Sequence, residues 1–155
     1  MDYVVWKWLH ILSSTLLFGT GIGTAFALLL ANRNGDVRGI SVVTRNVVLA
    51  DWLFTLPSVV FQPISGWMMM KLAGIPLLTL WVWVSFALYF VAGACWLPVV
   101  WIQIQMRNMA RETAMTGAPM LPARYWRYER VWIALGIPAF TSLAIVFYLM
   151  VAKPV

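Results

Sequence analysis

Apolar residues in this chain do not alternate with polar ones; they run on. Four stretches are almost continuously apolar: residues 4–30, 42–70 (with 42–46 as a lead-in), 75–103 and 131–151. About 20 helical residues cross the hydrocarbon of a bilayer, so each stretch predicts a membrane-spanning helix. The segments between them, ANRNGDVRG, KLAGIP and RETAMTGAPMLPARYWR, gather Asn, Gly, Pro and charge. Those residues stop helices and settle at interfaces. The first stretch is too long for a cleaved leader and no A-x-A site follows it, so it is expected to stay as a span. Short links between four spans predict one transmembrane domain over 1–155, an all-α, up-down-up-down four-helix bundle.

The polar residues inside the spans keep helical spacing. At about 100° per residue, Tyr3, Trp6, His10, Ser13, Ser14, Leu17, Gly21 and Thr24 share one face of the first helix. In the second, Asp51, Thr55, Ser58, Gln62, Ser65 and Met69 fall on one line. A carboxylate and an amide turned toward acyl chains are costly, so this stripe is expected to face the interior, an aqueous pocket or a partner. Pro57 and Pro63 should kink the second helix and free carbonyls near Leu53 and Val59. Gly19 and Gly23 make a GxxxG spacing, which allows close helix approach and a homodimer. It is not the phosphate-binding glycine motif, because the spacing differs and no strand precedes it.

Composition supports lipid as the solvent. Hydrophobic residues make up 63% and charged residues 10%, against roughly 25% charged in soluble domains. Mean hydropathy is +0.84. The net charge of +6 comes with no nucleic-acid motif, so anionic lipid headgroups are the expected partner and nucleic acid is not. Eight of the eleven basic residues (Arg33, Arg38, Arg45, Arg107, Arg111, Arg124, Arg127 and Arg130) lie in the first and third connections. By the positive-inside rule that side is cytoplasmic and both termini are outside. Asp51, near the cytoplasmic end of its helix, is expected to pair with Arg107, Arg127 or Arg130, which places Arg130 among the intramembrane polar groups. PARYWRYERVW reads as an interfacial lead-in with snorkelling arginines. Cys95 stands alone, mid-span, as a small hydrophobe.

His10 is the only histidine. It lies 20 residues before residue 30, and Met69 lies 22 after residue 47. Their depths therefore agree within about one turn. Three readings of His10 stand open: a structural hydrogen bond to a serine or carbonyl of a neighbouring helix, proton transfer, and metal ligation. Imidazole and thioether are both axial ligands of haem iron, so His10 and Met69 are candidate ligands. Lys7 and Lys71 are candidates for the propionates, and Trp6, Trp8, Trp67 and Phe18 for the walls. Zinc fits less well, since it takes three or four Cys, His or carboxylate ligands. Met68, Met69 and Met70 could meet Cu(I), but consecutive helical residues point in different directions.

WKWLHILSSTLLFGTGIGTAF resembles the first helix of small bacterial inner-membrane proteins that share an aromatic-rich start, K-x-x-H-[IV] and a glycine-rich half-helix. These include the haem-binding HemJ-like oxidases and the CopD-like copper-resistance proteins. TRNVVLADWLFTLP, ACWLPVVWIQIQMR and LPARYWRYERVW are similar to segments of a family of predicted four-helix integral membrane proteins of unassigned function, and that likeness covers nearly the whole chain. The HemJ-like resemblance implies that His10 ligates haem b with Lys7 beside it, Lys71 matching a basic position after the second helix. HemJ-like chains carry further histidines, which this chain lacks, so the resemblance implies haem binding and redox activity more directly than the oxidase reaction. Two alternatives stand beside it: a non-enzymatic subunit or scaffold of a membrane complex, and a small proton-linked transporter using Asp51 and Gln62.

Overall fold

Each predicted break is made by the residue types found there. A computed structural model describes residues 2–154. Helix α1 spans Tyr3–Asn34 and closes on Gly35. Asp36 then caps the next helix, accepting from the backbone N–H of Arg38 (3.3 Å) and Gly39 (2.8 Å). Such a cap is worth about 1 kcal/mol. Helix α2 (Val37–Ala50) continues through a π-helical turn (Asp51–Thr55) into α3 (Leu56–Ala73). Helices α4 (Leu80–Thr116) and α5 (Ala123–Ala152) complete the bundle. Gly35, Gly74 and Gly117 end three of these helices with positive φ, the left-handed cap that glycine adopts without a Cβ clash. Four continuous helical rods are long and apolar enough to cross a membrane.

Two boundaries differ from the sequence expectation. The third span starts at Leu80, not at residue 75, because Gly74 and Pro76 hold residues 74–79 in a turn. The rods also outrun the apolar stretches at the arginine-bearing end. Both α2–α3 and α4 occupy 37 residues, about 55 Å at 1.5 Å per residue, against about 30 Å of hydrocarbon. PARYWRYERVW is helical from Ala123, with Tyr125 and Trp132 buried and Arg124, Arg127 and Arg130 exposed.

The bundle is two hairpins. Helix α1 packs on α2 and α3, and α4 packs along α5. The hairpins meet chiefly where α2 lies on α4, while contacts between α3 and α4 are sparse. The tightest core therefore sits at the arginine-bearing end, built from Leu28, Ile40, Met106, Ala110, Tyr125 and their neighbours. There the Tyr125 hydroxyl donates to Asn32 Oδ1 (2.7 Å) and Asn32 Nδ2 donates to Glu129 Oε1 (2.8 Å), tying α1 to α5.

Polarity is distributed as it is in a membrane. Trp8, Phe26, Trp52, Phe90, Trp101 and Tyr148 are exposed on the outside. Asp51, Thr55, Ser58, Gln62 and Ser65 are buried, as the helical stripe predicts, and so are His10 and Ser13. Ser13 Oγ is the one buried side-chain polar atom without a partner among the described residues. Near-complete pairing matters because each unsatisfied group in hydrocarbon costs several kcal/mol.

Candidate functional site

The π-helical turn has a local cause. Proline at position 57 has no N–H and its ring would crowd the carbonyl four residues back. The chain widens instead, and the N–H of Leu56 bonds to the carbonyl of Asp51. Pro63 leaves a second carbonyl free, that of Val59. The Tyr89 hydroxyl of α4 donates to it at 2.7 Å, so the freed acceptor becomes a link between the two hairpins.

Where the hairpins part, two cavities open, and Tyr89 lines both. The first, of about 410 Å³, lies at the end that carries the termini and is lined by His10, Met69, Lys7, Lys153, Gln62 and aromatic groups. His10 is 6% exposed. Its Nδ1 lies 2.7 Å from Ser65 Oγ. The Ser65 hydroxyl donates to the carbonyls of Phe61 (2.8 Å) and Gln62 (3.1 Å) of its own helix. A serine has one hydroxyl proton. When that proton lies on the backbone carbonyls, Nδ1–H of His10 is the donor to Ser65 and the neutral ring carries its lone pair on Nε2. Nε2 has no hydrogen-bond partner among the described residues, and His10 lines the cavity. The Gln62 amide donates to the His10 carbonyl at 2.9 Å, and Gly66 stands where a Cβ would come within 3.6 Å of the ring. Ser65 and Gln62 of one helix thus hold the ring and the backbone of His10, respectively.

Of the residues expected around a cofactor, His10, Lys7 and Met69 are brought to this cavity and Lys71 is not. Lys71 is exposed and lies over the Trp67 ring at 5.4 Å. It sits in the last turn of α3, beyond the stripe that faces inward. The second ammonium comes instead from Lys153, over the Trp81 ring at 6.0 Å. The expected walls also differ. Trp8 and Trp67 are exposed, Trp6 stacks on Phe61 and Phe18 packs against Phe140 and Phe147. The cavity is walled by Tyr3, Trp81, Phe86 and Tyr89. An aromatic residue near the right depth is not enough, because its angle about the helix decides whether it meets the cavity. Lys153 was missed because a terminal residue carries no periodic signal.

The second cavity, of about 450 Å³, contains Asp51. The expected ion pair with Arg107, Arg127 or Arg130 is not made. Among the described residues there is no ion pair within 4.0 Å. Arg127 and Arg130 are exposed on the outside of the bundle and do not reach Asp51, and Arg107 bonds to Asn108. Long cationic chains reach water more cheaply than they enter an apolar core. Asp51 Oδ1 accepts instead from Thr55 Oγ1 (2.9 Å). On the other side, the donor-only indole of Trp132 sets the Gln103 amide. In the amide orientation that satisfies both neighbours, its oxygen accepts from Trp132 Nε1 (3.3 Å) and its nitrogen donates to Asp51 Oδ2 (2.6 Å). Gln103 was missed because nothing in the apolar stretch of α4 marks it as Asp51's neighbour.

No group of three or more His, Cys, Asp or Glu that could hold a metal ion occurs among the described residues. The sequence family described as "Predicted integral membrane protein (DUF2269)" matches residues 4–154. No curated protein and no solved structure matches the chain.

Proposed function

The chain belongs to this family of integral membrane proteins, and from that premise we propose that it binds haem b in the His10 cavity as a multi-pass protein of the bacterial inner membrane. The observation that carries the reading is the Ser65 hydrogen bond. It engages Nδ1 and leaves Nε2 for a ligand when Nδ1 carries the proton, the arrangement in which a histidine serves a metal.

The cavity's chemistry supports the same ligand. Its described lining has two lysines and no Asp or Glu, so it favours an anionic molecule, and haem carries two propionates. Its volume of about 410 Å³ falls within the usual range of roughly 300–1,000 Å³ for ligand pockets. Aromatic walls suit a planar ring. His10 would ligate the iron, Met69 is a second candidate ligand, and Lys7 and Lys153 would hold the propionates. Bound there, haem supplies reversible one-electron transfer. The protein contributes the aligned imidazole, the counter-charges and exclusion of water.

The arginine-bearing end is cytoplasmic in this reading, by the positive-inside rule. Both termini and the His10 cavity are then periplasmic, and the exposed arginines meet anionic headgroups. A second reading, assembly with a copy of itself or a partner subunit through α1, rests on Gly19 and Gly23. Both are exposed, and a Cβ at either would meet nothing within 4 Å.

The test is a visible spectrum of the purified protein, supplied with haem, before and after dithionite. The expected result is a Soret band that sharpens on reduction and is lost in His10→Ala while the circular dichroism stays helical. No band in the native protein, or an unchanged band in His10→Ala, ends the proposal.

A further inference from the structure

The Asp51 chamber poses a charge problem that the His10 cavity does not solve. Both carboxylate oxygens accept hydrogen bonds, from Thr55 and from Gln103. With its oxygen accepting from the donor-only indole of Trp132, the Gln103 amide turns its nitrogen to Asp51. The hydrogen-bond pattern around Asp51 in that orientation suits a carboxylate. None of the residues that line the chamber is Lys, Arg or His. A buried carboxyl without a counter-charge takes up a proton rather than stand ionised, and a cation arriving from outside the chain is what would hold Asp51 as the anion.

The walls specify what kind. Tyr89, Trp96, Trp132 and Phe140 present aromatic groups, and the remaining lining is mostly aliphatic or small. A bare inorganic cation wants six or more oxygen ligands, and Asp51 with Thr55 falls well short. An organic cation needs only one anion and aromatic faces. Ile133 and Ile137 line the chamber and are also exposed on the outer surface, so it opens sideways toward acyl chains. We propose that the Asp51 chamber is a second binding site, independent of haem, that takes a lipophilic organic monocation from the bilayer.

Tetraphenylphosphonium and its charge-reversed isostere tetraphenylborate test this directly. Binding of each, radiolabelled, is measured by equilibrium dialysis on the full-length protein in phosphatidylcholine nanodiscs, with empty nanodiscs subtracted. Saturable binding of the cation at one site per chain is expected, with none of the borate. Asp51→Asn should weaken cation binding at least about 30-fold, the scale for removing one partner of a buried charge pair. Gly136→Leu should abolish it by filling the chamber, since a Cβ there meets open space within 4 Å. Gly93→Leu is the second filling variant, for the same reason. His10→Ala should bind the cation as the native protein does, which separates this site from the haem proposal. Equal uptake of borate, no saturable phosphonium binding, or unchanged binding in a helical, monodisperse Asp51→Asn would overturn the assignment. The borate comparison uses native protein alone, so it decides the matter even if a variant does not fold.

Discussion

The imidazole of His10 has two nitrogens, and Ser65 occupies one of them. Replacing Ser65 with Ala removes the partner of Nδ1 but leaves Nε2, the nitrogen that would meet iron in the proposed haem site. Haem affinity should fall roughly 10- to 100-fold, the usual effect of losing a supporting partner of a metal-bound histidine. A haem titration followed at the Soret band checks this; affinity equal to the native protein's would show that Ser65 does not orient the ring. Lysines give a second comparison. Lys7→Ala and Lys153→Ala should each weaken haem binding, and Lys71→Ala should not, because Lys71 lies outside the cavity. At the other end, Tyr125 is 0% exposed and its hydroxyl has one partner, Asn32. Tyr125→Phe leaves Asn32 Oδ1 without its donor, at a cost of about 1–3 kcal/mol. Thermal unfolding in detergent should report that loss, with no change in haem affinity.

Prolines set the behaviour of the second rod. The stripe from Asp51 to Ser65 was readable as an inward face because its spacing is helical and its residues are polar. So was the carbonyl freed by Pro63, because a proline cannot donate. What the spacing could not say was who would use that carbonyl. Tyr89 does, from 30 residues downstream on another helix. Tyr89→Phe should therefore destabilise the protein by about 1–3 kcal/mol, leaving Val59 without a donor. Pro63→Ala restores an N–H that can reach the same carbonyl. In a double-mutant cycle, Pro63→Ala should recover part of what Tyr89→Phe loses. Strictly additive effects would show that the two residues do not serve one acceptor. The π-helical turn was not foreseen. A proline kink and a π turn both answer the same missing hydrogen bond, so the proline in the sequence does not by itself distinguish them.

Across the whole molecule, packing is uneven in a purposeful direction. The arginine-bearing end holds the contiguous core, and the opposite half holds the His10 cavity between hairpins that touch sparsely. Local stability should follow. Hydrogen exchange should be slowest in the α4 segment 99–110 and faster in segment 81–92, since local opening tracks buried contacts. Uniform protection along α4 would contradict the two-hairpin description. Orientation is tested at this scale too. A periplasm-active reporter fused after the C-terminus should be active, and one inserted within residues 117–120 should be silent. The reverse pattern would turn the bundle over and place the His10 cavity on the cytoplasmic side.

The sequence by itself determined the solvent, the number of spans, the inward stripe on α3 and the inward position of His10. These follow from composition and from helical periodicity, which are local properties of a chain that must pair its backbone inside lipid. The tertiary structure alone decided which groups meet: Ser65 with His10, Gln103 and Trp132 with Asp51, and Lys153 in the place expected of Lys71. Periodicity gives a residue's angle about its own helix. It does not give the rotation or spacing of one hairpin against the other, and those set every contact in the two cavities.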